Sequence, residues 1–275
     1  MRLFISGLQK LVRRPATFVT FGLLVGLLVL IVLAVGATAN SNMGAGAGGG
    51  PNGAAAKELV TFPGAYNRML EFILGLGGLF AMIYGAAVAG SEWGWGTLKS
   101  AVARGESRVR YMLSSFASIS LMIGVGLVLA FGISIVAAIV GANLAGVSTS
   151  GLGDTTALGQ LPQHLLKGWF AVLEEAALGF TIATLARSQL AGIGAGIAFY
   201  FGETFAGIFL PDVVKYMPFS VANASVSTGS GSGFGGGGAA VVALPADQAL
   251  AMVAVWLIGS LLVTALYANR AEISG

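Results

Sequence analysis

Six apolar stretches dominate the sequence, each about as long as the roughly 20 residues that a helix needs to cross the hydrocarbon core of a bilayer. They cover residues 17–39, 69–90, 112–140, 164–186, 190–210 and 248–268. Charged residues make up only 9% of the chain, and the mean hydropathy is +0.87, whereas about 25% of residues are charged in soluble proteins. We therefore predict an all-α polytopic membrane protein in which residues 1–275 form one transmembrane domain, and we exclude an ordinary soluble protein.

The first residues of the chain combine basic side chains with apolar ones at helical spacing. Phe4, Leu8 and Leu11 recur on one face, and basic residues surround them. This pattern predicts a short amphipathic helix on the membrane surface, ending before Pro15. The alternative is a basic flank without fixed structure.

The first apolar stretch also raises the question of a signal peptide. Ala37-Thr38-Ala39 resembles a cleavage site at the end of an apolar stretch that follows a basic start. That stretch is longer than the apolar core of a signal peptide, which has at most about 15 residues. We therefore predict an uncleaved membrane span.

The basic residues are distributed unequally between the two sides that six spans define. Four of the fourteen fall on one side, at Lys57, Arg68, Lys167 and Lys215. The other ten share a side with both termini: Arg2, Lys10, Arg13, Arg14, Lys99, Arg104, Arg108, Arg110, Arg187 and Arg270. Because cytoplasmic loops carry the excess of positive charge, we predict that both termini are cytoplasmic and that the protein lies in the cell (plasma) membrane.

Three connecting segments fall on the predicted outer side. Residues 40–68 and 211–247 contain glycine-rich tracts, including residues 229–238, and are predicted to be flexible loops. Residues 141–163 are predicted to form the remaining outer loop.

The most highly charged connecting segment is the loop at residues 91–111, which is predicted to lie in water on the cytoplasmic side. Trp93 and Trp95 stand at its start, where aromatic rings commonly mark the membrane–water boundary. Residues 97–103 contain little to break a helix and are bounded by Gly96 and Gly105. We predict a short helix there, lying across the membrane surface.

This loop resembles the first cytoplasmic loop of the permease subunits of type-2 ABC exporters. The family pattern is approximately Glu-x-x-x-Gly-Thr, a short apolar helix, and then Arg-Pro-x-Ser-Arg. The residues that match it are Glu92, Gly96, Thr97, Arg104, Ser107 and Arg108. The sequence departs from it at Gly105, where the family usually has proline, and near Ser115, where a lysine is common.

The resemblance implies the membrane subunit of an ATP-driven exporter. Two copies, or one copy and a related permease, would form the pathway and sit on cytosolic ATPase subunits that bind ATP and Mg. The resemblance assigns the ATPase contact to these residues: Glu92, Gly96, Thr97, Leu98, Lys99, Val102, Arg104 and Arg108. It also implies that span five lines the subunit interface and that residues 187–189 form the second cytoplasmic loop.

The sequence offers no nucleotide or metal site of its own. Lys99-Ser100 follows Leu98 rather than a glycine, and no phosphate-binding Gly-x-x-x-x-Gly-Lys-Ser/Thr motif occurs. His164 is the only histidine, and the chain has no cysteine, so a metal site is not predicted. We expect no cofactor in this chain, no enzymatic activity of its own, and no nucleic acid among its partners.

Three acidic residues lie within predicted spans, where charged groups are costly and normally face a cavity or a partner. Glu174 and Glu175 are near the middle of span four, and Glu203 is inside span five. We predict that Glu203 and one of the adjacent pair line the pathway or a subunit interface, the alternative being a neutral carboxyl that fixes helix packing. Glu71 is predicted to pair with Arg68, three residues earlier.

Span five also contains Gly192 and Gly196, a Gly-x-x-x-Gly motif that favours close helix crossing. Packing within the chain and a subunit interface both remain open for it. Two other functions also remain open, a proton-coupled carrier and an intramembrane enzyme that uses Glu174, Glu175 and Glu203. The substrate is not determined by the sequence, and we expect an apolar or amphipathic molecule.

Overall fold

A computed structural model of the chain describes residues 2–39, 57–226 and 244–270, and these residues form a bundle of α-helices. In chain order the helices are α1 (Arg2–Val12), α2 (Pro15–Ala39), α3 (Gly64–Gly94), α4 (Thr97–Ala103), α5 (Arg108–Ala145), α6 (Thr155–Ala186), α7 (Gln189–Phe209), α8 (Pro211–Val214), α9 (Pro218–Val226) and α10 (Ala246–Arg270). A short 3-10 helix, Ser150–Gly153, precedes α6.

Six of these helices are long and apolar enough to cross a membrane: α2, α3, α5, α6, α7 and α10. Each contains one of the predicted apolar stretches or nearly all of it, which confirms the all-α fold with six candidate spans. The helices extend beyond the apolar cores because helix propensity and capping, rather than hydropathy, determine where a helix ends.

The centre of the bundle is the pair α3 and α6, which are the most buried of the six long helices. Glycines allow their backbones to approach closely. Gly85 of α3 lies against the carbonyl oxygen of Ala176, and Gly179 of α6 lies against the carbonyl group of Met82. Small residues have this role in membrane proteins, where van der Waals packing rather than exclusion of water holds helices together.

Helix α1 is ordered and packs on α5, which confirms the predicted amphipathic helix and excludes a flank without fixed structure. Leu11 is buried in the core, whereas Ile5 and Val12 on the other face are exposed. The hydroxyl of Ser118 donates to the carbonyl oxygen of Phe4 at 3.1 Å, where Gly7 leaves room for it. Pro15 then occupies the first position of α2, where its missing N–H costs nothing.

The predicted loop at residues 141–163 is largely helical, which corrects the sequence prediction. Helix α5 continues to Ala145, and α6 begins at Thr155. The carboxylate of Asp154 accepts a hydrogen bond from the backbone N–H of Ala157 at 2.9 Å and so caps the start of α6. A single capping residue thus begins a helix well before the apolar stretch starts.

The segment after α7 is also more structured than predicted. Helix α9 turns back into the bundle and buries Phe219 and Val221, because its apolar residues are numerous enough to join the core. The glycine-rich tracts at 40–56 and 229–238 lie outside the described residues.

The beginning and the end of the described chain lie at the same end of the bundle. Arg14 stacks over Trp95 at the end of α3, and Arg187 in the turn between α6 and α7 donates to the Tyr267 hydroxyl near the end of α10 at 3.0 Å. This arrangement agrees with an even number of spans. We call it the basic end of the bundle.

Candidate functional site

The short helix α4 lies at the basic end, between two long helices, at the residues that the sequence predicts. Gly96 before it and Gly105 after it both have left-handed backbone conformations, with φ of +65° and +88°. Such conformations favour glycine, so the two residues set the sharp turns that isolate the helix.

Helix α4 has one face toward the protein and one away from it. Leu98 and Ala101 are each 1% exposed and pack into the chain. Lys99, Ser100 and Arg104 are exposed on the opposite side. We call these three residues, together with the exposed Ala103, the outer face of α4.

Glu92 is the residue that attaches α4 to the rest of the protein. Although the loop at residues 91–111 is predicted to lie in water, Glu92 is in the last turn of α3 and is only 1% exposed. Its carboxylate accepts hydrogen bonds from the Thr97 hydroxyl at 2.5 Å and from the Tyr111 hydroxyl at 2.6 Å. One side chain therefore joins the end of α3 to the starts of α4 and α5.

Two basic side chains neutralise Glu92 from the N-terminal part of the chain. Lys10 Nζ lies 2.5 Å from Oε1 and 2.7 Å from Oε2 of Glu92, and Arg14 Nη2 lies 3.2 Å from Oε1. Arg14 also donates to the hydroxyl of Ser91 at 2.8 Å. The sequence predicts that the Glu92 carboxylate lies in solvent. It is instead paired with Lys10 and Arg14, because α1 folds back over the end of α3.

Burial, more than the ion pair, determines the pKa of Lys10. Partial burial lowers the pKa of Lys10 below its ordinary value, and the hydrogen bond and charge of Glu92 offset part of that effect. Burial thus has the larger influence on this lysine, which is typical of a charge held between packed helices.

Aromatic rings complete the basic end. Arg187 lies 5.1 Å from the ring centroid of Trp93 and 5.6 Å from that of Tyr267. Trp95 is 67% exposed, and Arg14 lies 4.8 Å from its centroid. Cation–π contacts of this kind add to the ion pairs in joining the turn after α6 to the ends of α3 and α10.

The structure separates the predicted ATPase-contacting residues into two groups. Lys99 and Arg104 belong to the outer face of α4. The remaining members are partly or fully buried and either shape or anchor the helix: Glu92, Gly96, Thr97, Leu98, Val102 and Arg108.

Reasoning from the sequence missed three members of the Glu92 network. Lys10, Arg14 and Tyr111 all contact Glu92. Lys10 and Arg14 are more than seventy residues from Glu92 in the chain, and no local pattern links them. The one available signal in the sequence is that Lys10 and Arg14 lie shortly before the first predicted span, on the same predicted side as Glu92.

The three glutamates of the candidate spans, Glu174, Glu175 and Glu203, are all buried. Glu203 accepts hydrogen bonds from the backbone N–H groups of Phe219 at 3.2 Å and Ser220 at 2.5 Å. These groups belong to the first turn of α9, where free N–H groups attract a carboxylate. Glu203 therefore holds the returning helix α9 against α7.

Glu174 and Glu175 have fewer partners. Neither carboxylate oxygen of Glu174 has a hydrogen-bond partner in the described part of the chain, and Oε2 of Glu175 has none there either. The carboxylate of Glu175 lies against Gly78 of α3, whose missing side chain makes room for it. Among residues 2–39, 57–226 and 244–270, no group of His, Cys, Asp and Glu side chains could hold a metal ion.

The other predicted pairs and motifs lie within the bundle. Arg68 Nη1 lies 2.9 Å from Oε2 of Glu71, which confirms that ion pair. Gly192 lies against Ala183, and Gly196 lies against Met82. The Gly-x-x-x-Gly face of α7 thus contacts α6 and α3 of the same chain.

No protein-family model matches this chain, and a search of curated proteins finds no match. The similarity of residues 92–108 to type-2 exporter permeases therefore stays a prediction from the sequence. The length and composition of the six long helices indicate a multi-pass membrane protein.

Proposed function

We propose that this chain is the membrane-spanning subunit of an ATP-driven exporter, and that a separate cytosolic ATPase subunit binds it at the outer face of α4. The chain would act as a dimer or beside a related permease. The basic end of the bundle would face the cytoplasm, as the excess of positive charge predicts.

The observation that best supports this proposal is the attachment of α4 through Glu92. A surface helix that transmits motion must be joined firmly to the spans, and Glu92 joins it to α3 and α5 by two short hydrogen bonds. A push on α4 would therefore move the ends of two long helices together. The resemblance of the loop to exporter permeases supports the same role.

The burial of part of α4 favours a smaller set of ATPase-contacting residues than the resemblance assigns. Leu98 packs inward, so it would hold α4 in place rather than enter a groove of the partner. The contact would instead involve the outer face, where Lys99 and Arg104 provide positive charge and Ser100 provides a small polar side chain. An acidic or polar groove on the ATPase would complement this surface.

Affinity purification of the full-length chain from its native membrane, in a mild detergent, tests the proposal. We expect an ATPase subunit to co-purify and to hydrolyse ATP. Arg104→Glu should reduce the amount recovered, whereas Lys57→Glu, an exposed charge reversal at the opposite end of the bundle, should leave it unchanged. Absence of any ATPase, with the chain intact and folded, would contradict the proposal.

A second candidate function is a proton-coupled carrier. It is favoured by the burial of Glu174, whose carboxylate oxygens have no hydrogen-bond partner among the described residues. A carboxyl group without a partner in an apolar interior is costly when ionised, which is the situation of a group that exchanges a proton during transport. Glu174→Gln should then abolish the pH dependence of transport in proteoliposomes without any ATPase. If transport requires the ATPase and is unaffected by Glu174→Gln, the carrier function fails.

A further inference from the structure

Arg187, in the turn between α6 and α7, has a backbone conformation that residues with a side chain rarely adopt. Its φ is +51°, and no other residue except glycine has a positive φ in the described part of the chain. A left-handed residue commonly follows the end of a helix, but glycine or asparagine usually occupies that position. Strain of this kind persists where the surrounding structure holds the residue in place, and it is found most often at binding sites.

Two aromatic rings hold the side chain of Arg187. Its Nε donates to the hydroxyl of Tyr267 at 3.0 Å. The carbon at the centre of its guanidinium lies 5.1 Å from the ring centroid of Trp93 and 5.6 Å from that of Tyr267. These contacts fix the guanidinium relative to the ends of α3 and α10. A ligand that binds it would therefore cost less conformational entropy than a ligand of a flexible arginine.

The two terminal amino groups of the same guanidinium, Nη1 and Nη2, have no hydrogen-bond partner in the described part of the chain. None of the ion pairs found there includes Arg187, whereas Lys10 and Arg14 at the same end are paired with Glu92. A guanidinium can donate two parallel hydrogen bonds to the oxygens of one phosphate or carboxylate. Arg187 is exposed, so these donors are accessible to an external anion.

The depth of Arg187 in the membrane indicates which anion it meets. Only Arg187 and Ser188 separate α6 from α7. On either side of this turn, Leu185 is 42% exposed and Leu190 is 82% exposed. Apolar side chains with this exposure are favourable in hydrocarbon and unfavourable in water, so the turn lies at the edge of the bilayer core. The rings beside the guanidinium are of the two kinds that are enriched at the headgroup level.

We propose that Arg187 binds the phosphate of one anionic phospholipid from the leaflet at the basic end, with the acyl chains beside Leu185 and Leu190. A turn of two residues hardly projects beyond the headgroup layer, which favours a lipid phosphate over an acidic side chain of a protein partner. A lipid with net negative charge binds better than a zwitterionic one, because basic residues at the membrane surface attract anionic lipids. The site depends on the six spans and is independent of the proposed transport function.

The test measures how tightly the first lipid binds to the full-length chain, by native mass spectrometry from detergent micelles. Phosphatidylglycerol should bind about fivefold more tightly than phosphatidylcholine, the effect of one basic residue near the surface. Arg187→Gly suits the left-handed backbone and should fold. It should weaken the first phosphatidylglycerol by at least about tenfold, because hydrogen bonds to a charged group are lost. Arg110→Gln, which removes an equal exposed charge from the start of α5, should leave this affinity unchanged.

Tyr267→Phe distinguishes a positioned guanidinium from charge alone, and it also serves if Arg187→Gly fails to fold. This variant keeps the aromatic ring and every charge but removes the hydroxyl that accepts from Nε. The first phosphatidylglycerol should then bind about fivefold more weakly, the effect of one net hydrogen bond. Excess inorganic phosphate should not displace the lipid, since it has no acyl chains to contact Leu185 and Leu190.

Four results would contradict the proposal. The first is an unchanged affinity for phosphatidylglycerol in a folded Arg187→Gly variant, which would leave an acidic protein partner as the ligand of this arginine. The second is an equal loss in Arg110→Gln or no loss in Tyr267→Phe, either of which would mean that lipid responds only to overall charge. The third is equal binding of the two lipids. The fourth is displacement of the lipid by inorganic phosphate.

Discussion

Glu92 carries its charge at a position that solvent hardly reaches, and each of its partners depends on that charge. Replacing it by glutamine would leave Lys10 and Arg14 close together without a counter-ion. Removing one partner of a buried ion pair is more damaging than the pair is stabilising, because the remaining charge stays desolvated. The residue thus links the stability of the basic end to the attachment of α4.

We predict that Glu92→Gln lowers the free energy of unfolding by about 1–3 kcal/mol, the range for a buried polar group that loses its partner. Thermal unfolding of the purified protein, followed by tryptophan fluorescence, measures the change. Glu106→Gln is the control, since Glu106 is also acidic, lies in the same loop and is only half-buried. Equal melting temperatures for the two variants would show that the Glu92 network contributes nothing.

Glu203 provides the second prediction, because its two carboxylate oxygens accept from two backbone N–H groups of α9. A glutamine offers one acceptor and places an NH₂ group beside a donor, so Glu203→Gln should free the first turn of α9. The expected loss is about 0.6 kcal/mol, the average for a hydrogen bond between membrane helices. Hydrogen exchange at Ser220 should become faster, while exchange in α3 should not change. Unchanged protection at Ser220 would contradict the capping role.

The glutamates illustrate how far sequence reasoning extends at the scale of single residues. Their depth within apolar stretches predicted that Glu203 and one of Glu174 and Glu175 line the pathway or a subunit interface, and this stays a prediction. Within the described part of the chain all three side chains are buried. The partner of Glu203 could not be predicted, since it depends on α9 returning into the bundle. The prediction that Glu92 lies in water with its loop was wrong, because Lys10 and Arg14, more than seventy residues away in the chain, become its neighbours only after folding.

At the scale of elements, α4 is a two-sided helix, and its sides should respond differently to substitution. Leu98→Ala removes buried methyl groups and should cost about 2–5 kcal/mol of stability. Arg104→Glu changes an exposed side chain and should alter stability by no more than about 0.5 kcal/mol. Melting temperatures of the two variants in the same detergent decide this. A larger loss for Arg104→Glu than for Leu98→Ala would mean that the orientation of α4 is reversed.

The helices themselves were largely predictable, and the reasons for the exceptions are specific. Gly96 and Gly105 bounded α4 correctly because left-handed turns strongly favour glycine. The early start of α6 was missed because it depends on the Asp154 cap rather than on hydropathy. The return of α9 was missed because nine residues are too few to register as a span.

At the scale of the whole molecule, charge and architecture agree. The sequence placed ten basic residues on the side of both termini, and contacts of Arg14 and Arg187 bring the N-terminal part, the turn after α6 and the end of α10 together at one end of the bundle. The lengths of the apolar stretches predicted the number of spans, whereas the central position of α3 and α6 emerges only from the close approach at Gly85 and Gly179. A partner that binds the basic end would contact several helices at once.

The most direct test of the central claim uses the absence of cysteine from the chain. Ser100→Cys places a single thiol on the outer face of α4, and Ser150→Cys places one at the opposite end of the bundle. Each variant is purified together with the ATPase subunit that the proposed function requires, and the complex is treated with a short thiol-to-amine cross-linker. We predict a covalent product between the chain and the ATPase for Ser100→Cys and none for Ser150→Cys. An intact complex that gives no product at Ser100→Cys, or equal products at both positions, would contradict the proposed coupling through α4.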